Sequence, residues 1–177
     1  MPTSRRSLIA ASLELAAATG IPAFAQAAPR ETVDDLVRLS ANSNAALMRG
    51  DGKRYFELVA CSDDFTLMSP FGGKPSHGQV TRERMEEIGR FFQNGTLAQE
   101  LVQSYSAPGM VVLATIERAH VAVGGLPAQD WALRVTLVYR RDGTAWRLVH
   151  RHADPLAAGI SLEQAAALAR PSKSVPG

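Results

Sequence analysis

The stretch from Trp131 to Asp154 constrains the fold more than any other part of the chain. Trp131 to Tyr139 places large apolar residues at every second position, Arg140-Arg141-Asp142-Gly143 marks a tight turn, and Trp146 to Asp154 continues in strand-forming residues. The segment therefore reads as a long β-hairpin. Successive side chains of a strand point to opposite faces, which puts His150, His152 and Asp154 in one row with Trp146 and Leu148. Three titratable groups beside large apolar ones describe the polar end of a pocket. They describe a hydrogen-bonded structural strand equally well.

Helical periodicity precedes the hairpin. Val33, Leu36, Val37, Ser40, Asn44, Leu47 and Met48 recur near a 3.6-residue period, with Thr32 as a candidate N-cap and Gly50 as the stop. Asp51 is placed to cap a short second helix through Tyr55, Phe56, Leu58 and Val59. Thr81 opens a third, whose inner face would carry Met85, Ile88, Phe91 and Phe92 before Asn94-Gly95 ends it. Strands fill the remainder: Asp64 to Phe71, then a loop from Lys74 to Gly78, then Leu97 to Ser106 and Met110 to Val123 around Ala107-Pro108-Gly109. Helices followed by long consecutive strands imply an α+β fold, a curved antiparallel sheet wrapped around three N-terminal helices as a cone. Beyond Pro155, Ser161 to Ala169 reads as one more helix with Ser161 and Gln164 as its capping box, and 171–177 as a disordered tail.

A chain of 177 residues with 46% hydrophobic content makes one domain with a real core, assigned here to 28–156, with 157–177 as the C-terminal helix and tail. A net charge of +2 with interspersed signs gives no basic stripe, so nucleic acid is not an expected partner. Residues 1–27 read as an export signal: Arg5-Arg6 precede a modest apolar stretch that ends in Ala23-Phe24-Ala25. Ser4-Arg5-Arg6-Ser7-Leu8-Ile9 also fits a twin-arginine signal. The expected location is periplasmic or secreted, with no membrane contact in the mature form. Cys61 is the only cysteine, which rules out an intrachain disulfide and suits a small buried residue better than a nucleophile.

Gly50-Asp51-Gly52, the run Phe65 to Gly73, and Arg134 to Gly143 followed by Trp146 to His152 together resemble the nuclear transport factor 2-like superfamily, in its SnoaL-like and calcium/calmodulin-kinase association-domain-like branch. The resemblance spans about residues 31–156 and implies the cone fold, a homodimer formed through the outer sheet face, and a pocket to which the penultimate strand contributes an arginine, here Arg134. Fold does not fix activity. Against ketosteroid isomerases, Ser69 stands before Pro70-Phe71-Gly72 where the base should be, and Ser43 and Leu137 occupy the oxyanion-hole region. Against iota-class carbonic anhydrases, His150-Arg151-His152-Ala153-Asp154 keeps the third-position histidine and replaces the final serine with a carboxylate.

These readings converge on a small organic or anionic molecule bound in a conical pocket whose polar end is His150, His152 and Asp154. If chemistry occurs, His152 is the acid or base and Asp154 its orienting partner. Arg134, Thr136, Tyr139, Ser69 and Trp146 are the further ligand-binding candidates. Tyr139 has the opposite parity to Arg134 and Thr136, so only a bulge would let all three point inward. His150 and His152 with His120 or Asp154 would make an incomplete zinc set, His77 lies in a loop, and neither metal nor cofactor is expected. The alternative is a non-catalytic dimeric scaffold or binding module, and a lesser one is carbonic-anhydrase-like or isomerase/lyase activity.

Overall fold

A computed structural model describes residues 28–170, so the expected export signal at 1–27 and the expected disordered tail at 171–177 lie outside the described residues. Helix α1 (Arg30–Met48) starts two residues before Thr32, behind Pro29, whose φ of −54° already suits helix entry. It stops at Gly50, whose φ of 90° lets its N–H turn back to the Leu47 carbonyl at 2.9 Å. Helices α2 (Gly52–Leu58) and α3 (Arg82–Gly89) carry the expected caps, with the Asp51 and Thr81 side chains accepting from Arg54 N and Arg84 N. Phe91 and Phe92, expected on α3, instead lead into a strand.

Six strands form one sheet: β1 (Cys61–Met68), β2 (Ser76–His77), β3 (Phe92–Ala107), β4 (Met110–Val123), β5 (Gln129–Asp142) and β6 (Ala145–Pro155). Their order is β2-β1-β6-β5-β4-β3. The α+β reading stands, with one refinement: β1 runs parallel to β6, while the other ladders are antiparallel. A parallel neighbour needs a long crossover, here the whole of α3 and four strands, and no local sequence signal announces such a pairing. The hairpin β5–β6 and the pair β3–β4 lie where the residue patterns put them.

The helices cover one face of the sheet. Along β4 that face is Val111, Leu113, Thr115, Glu117, Val121 and Val123, all buried, a strict two-residue period. Leu113, Leu137 and Leu148 from three adjacent strands pack with Leu36 of α1 and Tyr55 of α2. Each such side chain contributes roughly 1.5–3 kcal/mol of burial free energy. The final helix, α4 (Leu162–Ala169), has the expected Ser161–Gln164 capping box and buries none of its residues.

Candidate functional site

One irregularity decides which side chains reach the space under the helices. On β6, Leu148 pairs with Tyr139 and His150 with Val138, so Val149 is an extra residue, a β-bulge. A one-residue insertion inverts every later side chain. Leu148 faces the core, but beyond the bulge it is Arg151 and Ala153 that continue the inner row, opposite Leu137 and Val135. His150, His152 and Asp154 sit on the outer face opposite Val138, Thr136 and Arg134, so the pocket position expected for all three is corrected.

On that outer face His150 Nδ1 donates to the Thr66 carbonyl at 3.1 Å, and His152 Nε2 lies 3.3 Å from an Asp154 carboxylate oxygen. The two imidazole centroids are 6.3 Å apart. His120 pairs with Asp130 at 2.8 Å two strands away, and His77 with the Thr66 hydroxyl at 3.0 Å. Among the described residues no cluster of three His, Cys, Asp or Glu could hold a metal ion. Arg134 and Thr136 also face outward, Tyr139 is buried in the core at 2% exposure, and Trp146 packs against that core. Of the eight candidates only Ser69 lines the cavity.

That cavity measures about 650 Å3 and is enclosed by the inner sheet face, α1, α2 and α3. Leu67, Leu97, Leu133, Val121 and Ile88 give it apolar walls. Its open end is aromatic: Phe71, itself 57% exposed, meets Phe91 and Trp131 edge-to-face at centroid distances of 5.9 and 6.0 Å.

Its buried end is polar, and none of the residues there is among the eight site candidates. Glu117 of β4 and Arg151 of β6 lie on either side of β5, diagonal across Val135, and join through two bonds of 2.9 and 2.8 Å. Asn44 of α1 adds a third donor to Glu117, Nδ2 to Oε1 at 3.0 Å. Glu117 and Arg151 side chains are only 4% and 13% exposed. Burial works to lower the Arg151 pKa, but the Glu117 carboxylate outweighs it and the net shift is upward. Tyr55 of α2 completes this end, with Cys61, whose thiol burial pushes up to about 11. A thiol so raised is overwhelmingly protonated near neutrality and a poor nucleophile. The signal for Glu117 was available: it is the one charged residue at an inward position of an otherwise uncharged β4 alternation.

Burial also raises the phenols of Tyr55 and Tyr139 above the ordinary tyrosine value. A raised folded pKa means the folded state holds its proton longer, so the stabilisation is complete below the unfolded pKa and is lost as pH climbs past it. We expect stability to fall above about pH 10, by up to about 1.4 kcal/mol per pH unit for each phenol. Tyrosinate absorbance and far-ultraviolet circular dichroism, followed together in an alkaline titration, should change in one transition for these two residues. Their ionisation in a chain that keeps its native dichroism would contradict this.

A family model described as "SnoaL-like domain" matches residues 38–157, the stretch that forms both walls of the cavity. The chain belongs to the SnoaL-like domain family. Solved structures agree on the fold. A nuclear transport factor 2-like superfamily protein from Salmonella enterica has a TM-score of 0.60 at 18% identity, covering 76% of this chain and 99% of that one. A ketosteroid isomerase-like protein from Erwinia carotovora atroseptica gives 0.57 at 13%, covering 73% and 100%. A CamKII hub homology domain from Chlamydamonas reinhardtii gives 0.53 at 13%, covering 71% and 99%. Among curated proteins, no match to this SnoaL-like chain is found. At these identities the likeness concerns the fold of the SnoaL-like domain and leaves its chemistry to its own residues.

Proposed function

We propose that this SnoaL-like domain binds a small organic molecule in its conical cavity, with Glu117, Arg151, Asn44 and Tyr55 as the polar end. The observation that carries the reading is an apolar-walled space of about 650 Å3 that ends on one buried ion pair. Small-molecule sites are concave, mostly apolar, about 300–1,000 Å3, with a few convergent polar groups. Binding is supported ahead of acid–base chemistry. Both Glu117 oxygens already accept from Arg151, and Oε1 also from Asn44, and a proton taken by Glu117 would remove the charge that holds the buried guanidinium. The reading includes export, on the strength of residues 1–27, and self-association through the outer sheet face, where Ile116 and Val138 stay partly exposed.

The test uses 1-aminoanthracene, an uncharged apolar fluorophore, titrated into the purified protein. We expect saturable one-to-one enhancement with a dissociation constant on the order of micromolar. Ala119→Trp, which fills the space beside Trp131, should weaken it at least about tenfold without lowering the melting temperature. No saturable signal from the folded wild-type protein would remove the proposal.

A further inference from the structure

We propose that the ligand is uncharged and carries a hydrogen-bond acceptor, such as a carbonyl or ether oxygen, at its inner end, and that the Tyr55 hydroxyl selects for it. This rests on the cavity-binding reading and adds the ligand's chemical class.

The first argument is charge. Arg151 is the cation at the buried end, and the Glu117 carboxylate already meets it with both oxygens at 2.9 and 2.8 Å. The pair has no net charge to offer. An anion entering here would meet a guanidinium whose charge Glu117 already neutralises, in surroundings where both side chains are nearly sealed from water. It would also lose its own hydration, which no unpaired cation replaces. A cation meets the same balance with the signs exchanged.

The second argument is the hydrogen-bond inventory. Among the described residues, two buried side-chain polar atoms lack both a partner and contact with open space: Thr115 Oγ1 and Trp131 Nε1. The Tyr55 hydroxyl and the Nε–H of Arg151 are not among them, yet neither takes part in a hydrogen bond within the described residues. Both residues line the cavity, Tyr55 also lining a smaller one beside it, and we place these two groups at the inner end of the larger space. Arg151 has only donors, and the phenol can donate. Two donors converging on the inner end of an apolar space fit one acceptor atom of a neutral molecule. The aromatic mouth of Phe71, Phe91 and Trp131 then surrounds the ligand's apolar body.

Because the Tyr55 hydroxyl has no hydrogen-bond partner to lose among the described residues, Tyr55→Phe should leave the fold intact while removing the recognition. The experiment ranks three probes of one size by displacement of 1-aminoanthracene: naphthalene, 2-acetylnaphthalene and 2-naphthoate. In the wild type the ketone is expected to bind roughly tenfold tighter than the hydrocarbon, and the carboxylate at least roughly tenfold weaker than the ketone. In Tyr55→Phe most of the ketone's advantage should vanish while naphthalene is unaffected. Equal binding of ketone and hydrocarbon, an unchanged ranking in Tyr55→Phe, or naphthoate as the tightest ligand would each overturn this inference while leaving cavity binding in place. A failure of 1-aminoanthracene itself to bind would remove the underlying reading instead.

Discussion

Replacing Arg151 by methionine should destabilise the protein by about 3–5 kcal/mol, the cost of stranding a buried charge whose partner has been removed. The stranded group is Glu117, 4% exposed, left with Asn44 as its one remaining donor among the described residues. Glu117→Gln should also cost stability, because it leaves the buried guanidinium charge uncompensated. The double variant Arg151→Met with Glu117→Gln should recover most of the loss, because no charge then remains and the new amide oxygen still accepts from Asn44. Urea unfolding of the four proteins reads this directly, as a coupling between the two positions. The bidentate pair Arg140–Asp64 is the control: its bonds of 3.0 and 2.9 Å are as short, but both side chains are largely exposed. Water screens that pair, so Arg140→Met should move the midpoint little. Independent additive effects at Glu117 and Arg151 would mean that water reaches the pair.

The same pair shows where reading the sequence succeeds and where it stops. Caps, turns and two-residue alternation are local signals, and they mark α2, the start of α3, the β5–β6 hairpin and the Ser161 capping box correctly, while the end of α3 falls short of Phe91 and Phe92. The inward charge of Glu117 was equally legible in β4, since alternation alone puts it in a row with Leu113 and Val121. Arg151 was not. Its direction depends on the bulge at Val149, and neither Gly nor any other residue type marks that insertion. One unannounced residue exchanged the faces, so the imidazoles of His150 and His152 were expected where the guanidinium stands. The β1–β6 pairing, which brings Leu67 beside Arg151, joins segments some eighty residues apart and leaves no trace in either. Tyr55 was visible as an apolar-face residue of α2; its role depends on which hydroxyls lack partners, and that is a property of the assembled cavity.

Gly52→Ala sets two opposing effects against each other, and their magnitudes decide the outcome. As the first residue of α2, position 52 should gain up to about 1 kcal/mol from alanine's helix propensity. A Cβ there, however, would lie 2.0 Å from the Met85 carbonyl oxygen and 2.7 Å from its carbon, both backbone atoms of α3 that no rotamer change can move. On the facing side, a Cβ on Gly89 would lie 2.6 Å from the Gly52 nitrogen, so the two helices meet backbone to backbone at this glycine pair. Overpacking costs about 1–3 kcal/mol when side chains can give way, and here they cannot, so a net loss of about 3 kcal/mol or more is expected. Relief requires α2 and α3 to separate, and these helices carry Tyr55, Met85 and Ile88 into the cavity wall. The lowered melting temperature should therefore come with weaker 1-aminoanthracene binding. Gly72→Ala isolates the backbone contribution: its φ is 74° but nothing lies within 4 Å of a Cβ there, so only about 1–2 kcal/mol of left-handed strain is at stake. If Gly52→Ala proved as mild as Gly72→Ala, the helices would have slack at their crossing, and the cavity would not depend on this close approach for its shape.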